Sequence, residues 1–97
     1  MLYTMNKSPH STDSLESLLR IAPVGAPVLL YEDGVYAAML GTMSTSLVER
    51  AMADHPIYAL DADLEARGIG EVLQGIQVIG YDGFVELVEQ HDVAPWL

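Results

Sequence analysis

A small single-domain, three-layer α/β fold with a four- or five-stranded, mainly parallel sheet is what this sequence predicts, on three observations. Short apolar runs at Leu2–Met5, Val28–Tyr31, Ile57–Leu60 and Ile76–Ile79 recur along the chain, and each gives way to a polar or glycine-bearing segment. Segments with helical spacing occupy the intervals between them, and strands alternating with helices form parallel sheets covered on both faces. The length, 97 residues, is that of one domain, taken as 1–97.

Leu2 to Met5 reads as a short buried strand that breaks at Asn6-Lys7-Ser8-Pro9. Asp13-Ser14-Leu15-Glu16 then has the spacing of a capping box, with Asp13 as N-cap and Glu16 reaching back. Behind it Leu15, Leu18, Leu19 and Ala22 fall on one helical face, and Pro23 and Gly25 end the helix. Val28-Leu29-Leu30-Tyr31 is the second strand, closed by Glu32-Asp33-Gly34. Val35 to Leu40 suits either strand or short helix, and its two alanines favour helix. Thr42 to Ala53 reads as a helix with Leu47, Val48, Ala51 and Met52 on one side. Ile57–Leu60 is the third strand, Asp61–Arg67 a short helix with Gly68 past its end. Ile76–Ile79 is the fourth strand. The last helix is expected from about Asp82 to His91, with Phe84, Leu87 and Val88 inward, followed by a tail from Asp92 to Leu97.

Fourteen acidic residues against four basic ones give a formal charge of −10, which repels phosphate backbones and anionic membranes. Neither direct nucleic-acid binding nor membrane association is expected. The same field would steer a basic partner. Zero cysteines exclude disulfides, thiolate metal sites and any persulfide carried on this chain. The chain opens without a basic region followed by a long apolar run, and no stretch approaches the roughly 18 apolar residues of a membrane span. The cytoplasm is the expected compartment. Hydrophobic residues make up 51% of the chain, material for a buried parallel sheet or for an interface with another chain.

In an open parallel sheet, ligands and functional groups gather beyond the carboxyl ends of the strands. Asn6-Lys7-Ser8, Glu32-Asp33 and Asp61-Asp63 should all project there. The first of these has no glycine-rich phosphate cradle, and Ser8 lacks the glycine-flanked elbow of a serine nucleophile. Glu32, Asp33, Asp61 and Asp63 are the residues from which an acidic cation pocket could be built, although Asp33-Gly34 also suits an ordinary turn and Asp61 a helix start. His10, His55 and His91 lie apart, without the spacing of a zinc helix, and read as surface or half-buried residues. The five methionines read as gap-fillers in the core or at an interface. Trp96 has two readings, closing the core or docking on a neighbouring subunit. The residues alone therefore describe an acidic α/β domain with no assembled catalytic site.

Several segments, taken in order, resemble one family. They are Leu2-Tyr3-Thr4 through Asn6-Lys7-Ser8-Pro9, Ser14-Leu15-Glu16-Ser17, and Leu29 through Ala38. Tyr58-Ala59-Leu60, Asp63 through Gly68, Tyr81 through Val85 and the Trp96 tail continue the match. The chain resembles the TusB/DsrH family, small subunits of bacterial sulfur-relay complexes with a DsrE/F/H-like fold. The likeness covers nearly the whole chain, and its specificity lies in the order and spacing of segments.

The resemblance implies a non-catalytic subunit of a heterohexamer, assembled with TusC/DsrF-like and TusD/DsrE-like subunits. It places the persulfide cysteine chiefly on the TusD/DsrE-type subunit, from which sulfur passes to a TusE/DsrC-like carrier. One branch thiolates the tRNA wobble uridine, the reading preferred here, and the other serves intracellular sulfur oxidation. No cofactor is implied. Some members of the oxidation branch carry a cysteine just after the Ser-Leu-Glu-Ser segment. Here that position is Leu18, which cannot accept sulfane sulfur. Lys7, Ser8, Pro9, Glu32, Asp33 and Trp96 become candidate partner contacts. A different class stays open, a free-standing acidic module that binds a cation or small ligand.

Overall fold

The computed structural model describes residues 1–96. Its five strands are β1 (Leu2–Met5), β2 (Val28–Leu30), β3 (Ile57–Leu60), β4 (Gln77–Ile79) and β5 (Val93–Trp96). They form one sheet in the order β4-β3-β2-β1-β5, and every neighbouring pair is parallel. The helices are α1 (Ser14–Ile21), α2 (Thr45–Asp54), α3 (Asp61–Ala66) and α4 (Tyr81–Gln90), with a 3-10 helix over Glu32–Ala38. The alternation of strand and helix predicted from the apolar runs is the architecture found.

Handedness explains the layering. The connections from β1 to β4 step in one direction across the sheet, and Leu15, Leu18, Val48, Ala51 and Leu64 from α1, α2 and α3 share one core. The last connection returns to the far side of β1. A right-handed crossover in that reversed direction must pass over the opposite face. There Leu87 of α4 packs with Leu2 and Leu29, flanked by Tyr58, Ile79 and Phe84. Alternate residues of each strand serve the two cores: Tyr3, Met5, Val28 and Leu30 face the larger one, Leu2 and Leu29 the smaller. All of β1 and β2 is buried, as central parallel strands require.

Four local expectations need correction. The tail from Asp92 is not loose: Val93–Trp96 is a fifth strand paired along β1, with Leu2 N–H bonded to the Asp92 carbonyl at 2.7 Å. Asp13 does occupy the N-cap of α1, but its side chain makes no cap bond. Glu16 turns instead to Arg20 at 3.5 Å on the exposed face. Val88 points to solvent, because α4 lies on the sheet along Gly83, Phe84 and Leu87. Of the two readings of the methionines, core or interface, Met43 at 98% exposed leaves only the second. His55 is buried, its Nδ1 donating to the Ala26 carbonyl at 2.9 Å and tying the end of α2 to the approach to β2.

Candidate functional site at the carboxyl edge of the sheet

Because all strands run the same way, the segments that follow β1, β2 and β3 emerge on one edge, as the sequence predicted. Gly34 joins the first two. Its amide donates to the Tyr31 carbonyl at 2.9 Å, and the Tyr31 amide donates to the Met5 carbonyl at 3.0 Å. The turn over Glu32–Gly34 thereby lies against the end of β1. A Cβ on Gly34 would overlap the Met5 carbonyl oxygen and sit 3.5 Å from Asn6 Cα. Glycine is needed there for close approach of two backbones.

The loop after β1 is ordered by its own side chains. Ser8 Oγ accepts the His10 amide at 3.1 Å, and the Ser8 carbonyl accepts the Ser11 hydroxyl at 3.2 Å. His10 Nε2 then meets Ser44 Oγ at 3.3 Å, which links this loop to the start of α2. Lys7 is exposed and enters no ion pair among the described residues. Pro9, His10, Met43, Ser44 and Leu47 line a shallow hollow of about 300 Å³ beside the loop. Trp96 stands in register with Met5 on the neighbouring strand. It is half-buried and packs edge-on against Tyr3, centroids 5.9 Å apart at 73°. Lys7, Ser8, Pro9, Glu32, Asp33 and Trp96 therefore share the carboxyl edge of β5, β1 and β2.

The acids do not form a cation pocket. Among the described residues no group of three or more His, Asp or Glu side chains is placed to hold a metal. Arg67 occupies the position such an ion would need. Its Nη2 and Nε reach Asp33 Oδ1 at 2.9 and 3.0 Å, and its Nη1 reaches the Asp63 carbonyl at 3.2 Å. Asp63 Oδ1 lies 3.8 Å from the same guanidinium, and Tyr36 lies under it at 6.0 Å, the outer limit of a cation–π contact. Asp63 has a second task. Its Oδ2 accepts the Glu32 amide at 2.7 Å and holds Glu32 at φ +47°. For a residue with a Cβ that conformation costs roughly 1–2 kcal/mol, so the turn is held by tertiary bonds rather than by local preference.

Arg67 was not singled out from the sequence. The only local signal was its i,i+4 spacing from Asp63, and the bond to Asp33 spans 34 positions. Gly68 follows at φ +68° and completes the turn that ends α3. Arg67→Ala should lower stability by about 1 kcal/mol, a modest figure because Asp33 is largely exposed. Arg67→Lys should recover only part of it, since an ammonium cannot reproduce the forked contact. Urea midpoints of the three proteins would measure both effects.

The edge thus brings together hydrogen-bonded loops, a guanidinium joined to two acids and exposed apolar side chains, on a chain with no thiol. The comparisons with known proteins agree in placing it. In fold, the chain is similar to the YchN protein from E. coli, with a TM-score of 0.76 at 14% identity over 98% of this chain and 97% of that one. It is likewise similar to a protein of unknown function from Methanobacterium thermoautotrophicum, with a TM-score of 0.73 at 17% identity over 97% and 96% of the two chains. In sequence, Protein TusB of Serratia proteamaculans is 46% identical over 92 residues, 94% of each chain. Protein TusB of Pectobacterium atrosepticum is 39% identical over 93 residues, again 94% of each. The family model described as DsrH like protein matches residues 7–94, and with relatives this similar along nearly their full length the chain belongs to the DsrH-like family that includes the TusB proteins.

Proposed function

We propose that this protein is a non-catalytic structural subunit of a cytoplasmic sulfur-relay complex that supplies the 2-thio group of the tRNA wobble uridine. The observation that carries the reading is the pairing of full-length similarity to TusB proteins with a chain that has no cysteine. Sulfur relay by persulfide needs a thiolate nucleophile. On this reading the thiolate belongs to a TusD/DsrE-like partner, a TusC/DsrF-like subunit completes the assembly, and a TusE/DsrC-like carrier receives the sulfur. The name shared by these relatives favours thiolation over the sulfur-oxidation branch. No helix among the described residues is long and apolar enough to cross a membrane, in keeping with a cytoplasmic assembly.

The carboxyl edge suits the role of a contact surface. Lys7-Ser8-Pro9 and Glu32-Asp33 are held side by side, Met43 presents apolar surface at the hollow lined by Pro9, and Leu40 is exposed a few residues before it. Obligate interfaces draw on such apolar groups. Trp96, with one side on Tyr3 and part of its surface open, can close the core and still meet a neighbour.

Co-expression with the two partner-type subunits of the same genome tests the assembly. The expected result is one species whose native mass corresponds to two copies of each chain. Deletion of the gene should remove 2-thiouridine from the tRNA pool, read by mass spectrometry of nucleosides, and this chain should restore it. Unchanged 2-thiouridine in the deletion strain would rule out the thiolation role. A monomer indifferent to both partners would rule out the subunit role itself.

A further inference from the structure

We propose that the free edge of β4, with the cleft beside it, receives an extended segment of a partner subunit that carries apolar and basic side chains. The inference rests on the subunit reading above and names the surface that reading leaves open. The sheet has two edges, β4 and β5. The β5 edge contains Pro95, which has no N–H to offer and blunts strand addition. The β4 edge, Gln77-Val78-Ile79, has neither proline nor charge and pairs with β3 alone. Such an edge presents unpaired backbone groups that another chain can extend.

Next to it lies a cleft of about 440 Å³. Leu64, Ile69, Val72 and Val78 supply its apolar wall, and Val78 is 49% exposed on the strand itself. Asp61 and Glu65 stand at the same cleft, and neither enters an ion pair among the described residues. Added strands gain affinity from main-chain bonds and specificity from alternate side chains entering pockets. An apolar side chain of the added strand fits against Leu64 and Val78, and a lysine or arginine beside it meets Asp61 and Glu65. A second copy of this chain would bring a charge of −10 to a surface that is already acidic, so a basic partner is the occupant the electrostatics select.

Hydrogen–deuterium exchange of residues 76–80, in the isolated chain and in the assembly with its DsrE-type and DsrF-type subunits, tests this directly. Amides of the β4 edge are expected to exchange at least about tenfold more slowly in the assembly. Val78→Glu, placed on exposed surface and checked for native circular dichroism, should weaken assembly by about tenfold or more. Glu65→Lys should weaken it less and flatten its salt dependence. An assembly that forms normally with Val78→Glu, its β4 amides exchanging as in the free chain, would overturn the edge proposal and leave the subunit reading standing. A wild-type chain that joins neither subunit would overturn both.

Discussion

Gly34→Ala is expected to unfold this protein at markedly lower denaturant, with a loss of about 3 kcal/mol. The new Cβ would overlap the Met5 carbonyl oxygen and come within 2.9 Å of the Met5 carbonyl carbon. Neither atom is the end of a flexible side chain. Met5 is the last residue of β1, in register with Leu30 on one side and Trp96 on the other, so it cannot retreat without disturbing three strands. The 3-10 helix would have to lift instead, at the expense of the Tyr31–Met5 hydrogen bond and the buried contacts of Val35, Ala37 and Ala38. For a domain of this size the loss corresponds to a fall in Tm of roughly 12–24 °C. Thermal and urea unfolding would measure it. A change within about 0.5 kcal/mol of wild type would mean that the turn does not sit against β1 as described. The same variant should also lose assembly, since the Lys7–Pro9 and Glu32–Asp33 loops meet through Gly34.

Leu18→Cys is expected to yield a folded protein whose single thiol is inert. The position is 0% exposed, on the face of α1 that packs into the larger core. Modification therefore has to wait for local opening, and a thiol reagent should label it at least about a hundredfold more slowly in buffer than in denaturant. The smaller side chain should cost about 2 kcal/mol, the usual order for lost core volume. Slow labelling would fit a chain whose fold has no use for sulfur at that site. Labelling at the rate of a free thiol would mean that α1 opens readily, and would return position 18 to consideration as a sulfur acceptor.

The elements were legible because their signals are local. Leu15, Leu18 and Leu19 mark a helical face within a few residues, and Ile57–Leu60 declares a strand by its own apolar run. Val93–Trp96 escaped as a strand because its short run carries a proline. Nothing nearby says that β1 lies free to pair with it. The capping spacing at Asp13 is not used: the Ser14 amide donates to Thr12 Oγ1 at 3.4 Å, and the Asp13 side chain makes no cap bond. The three loops lie together beyond the strand ends because any parallel sheet gathers them there. The acids among them looked like a cation site because like charges close in sequence signal only that, whereas the balancing Arg67 arrives from a different element.

By itself the sequence determined the class of the fold, the absence of a thiol, the acidic charge and the family resemblance, since composition, periodicity and segment order are properties of the chain. The tertiary structure alone decided the order β4-β3-β2-β1-β5, the seat of α4 on the opposite face, and the edge that stays open. It also decided that Arg67 joins Asp33 to Asp63 and that position 34 lies against the Met5 carbonyl, where no side chain fits. These are contacts between residues far apart in the chain. Their energy depends on which strands become neighbours, and no local pattern of side chains encodes that choice.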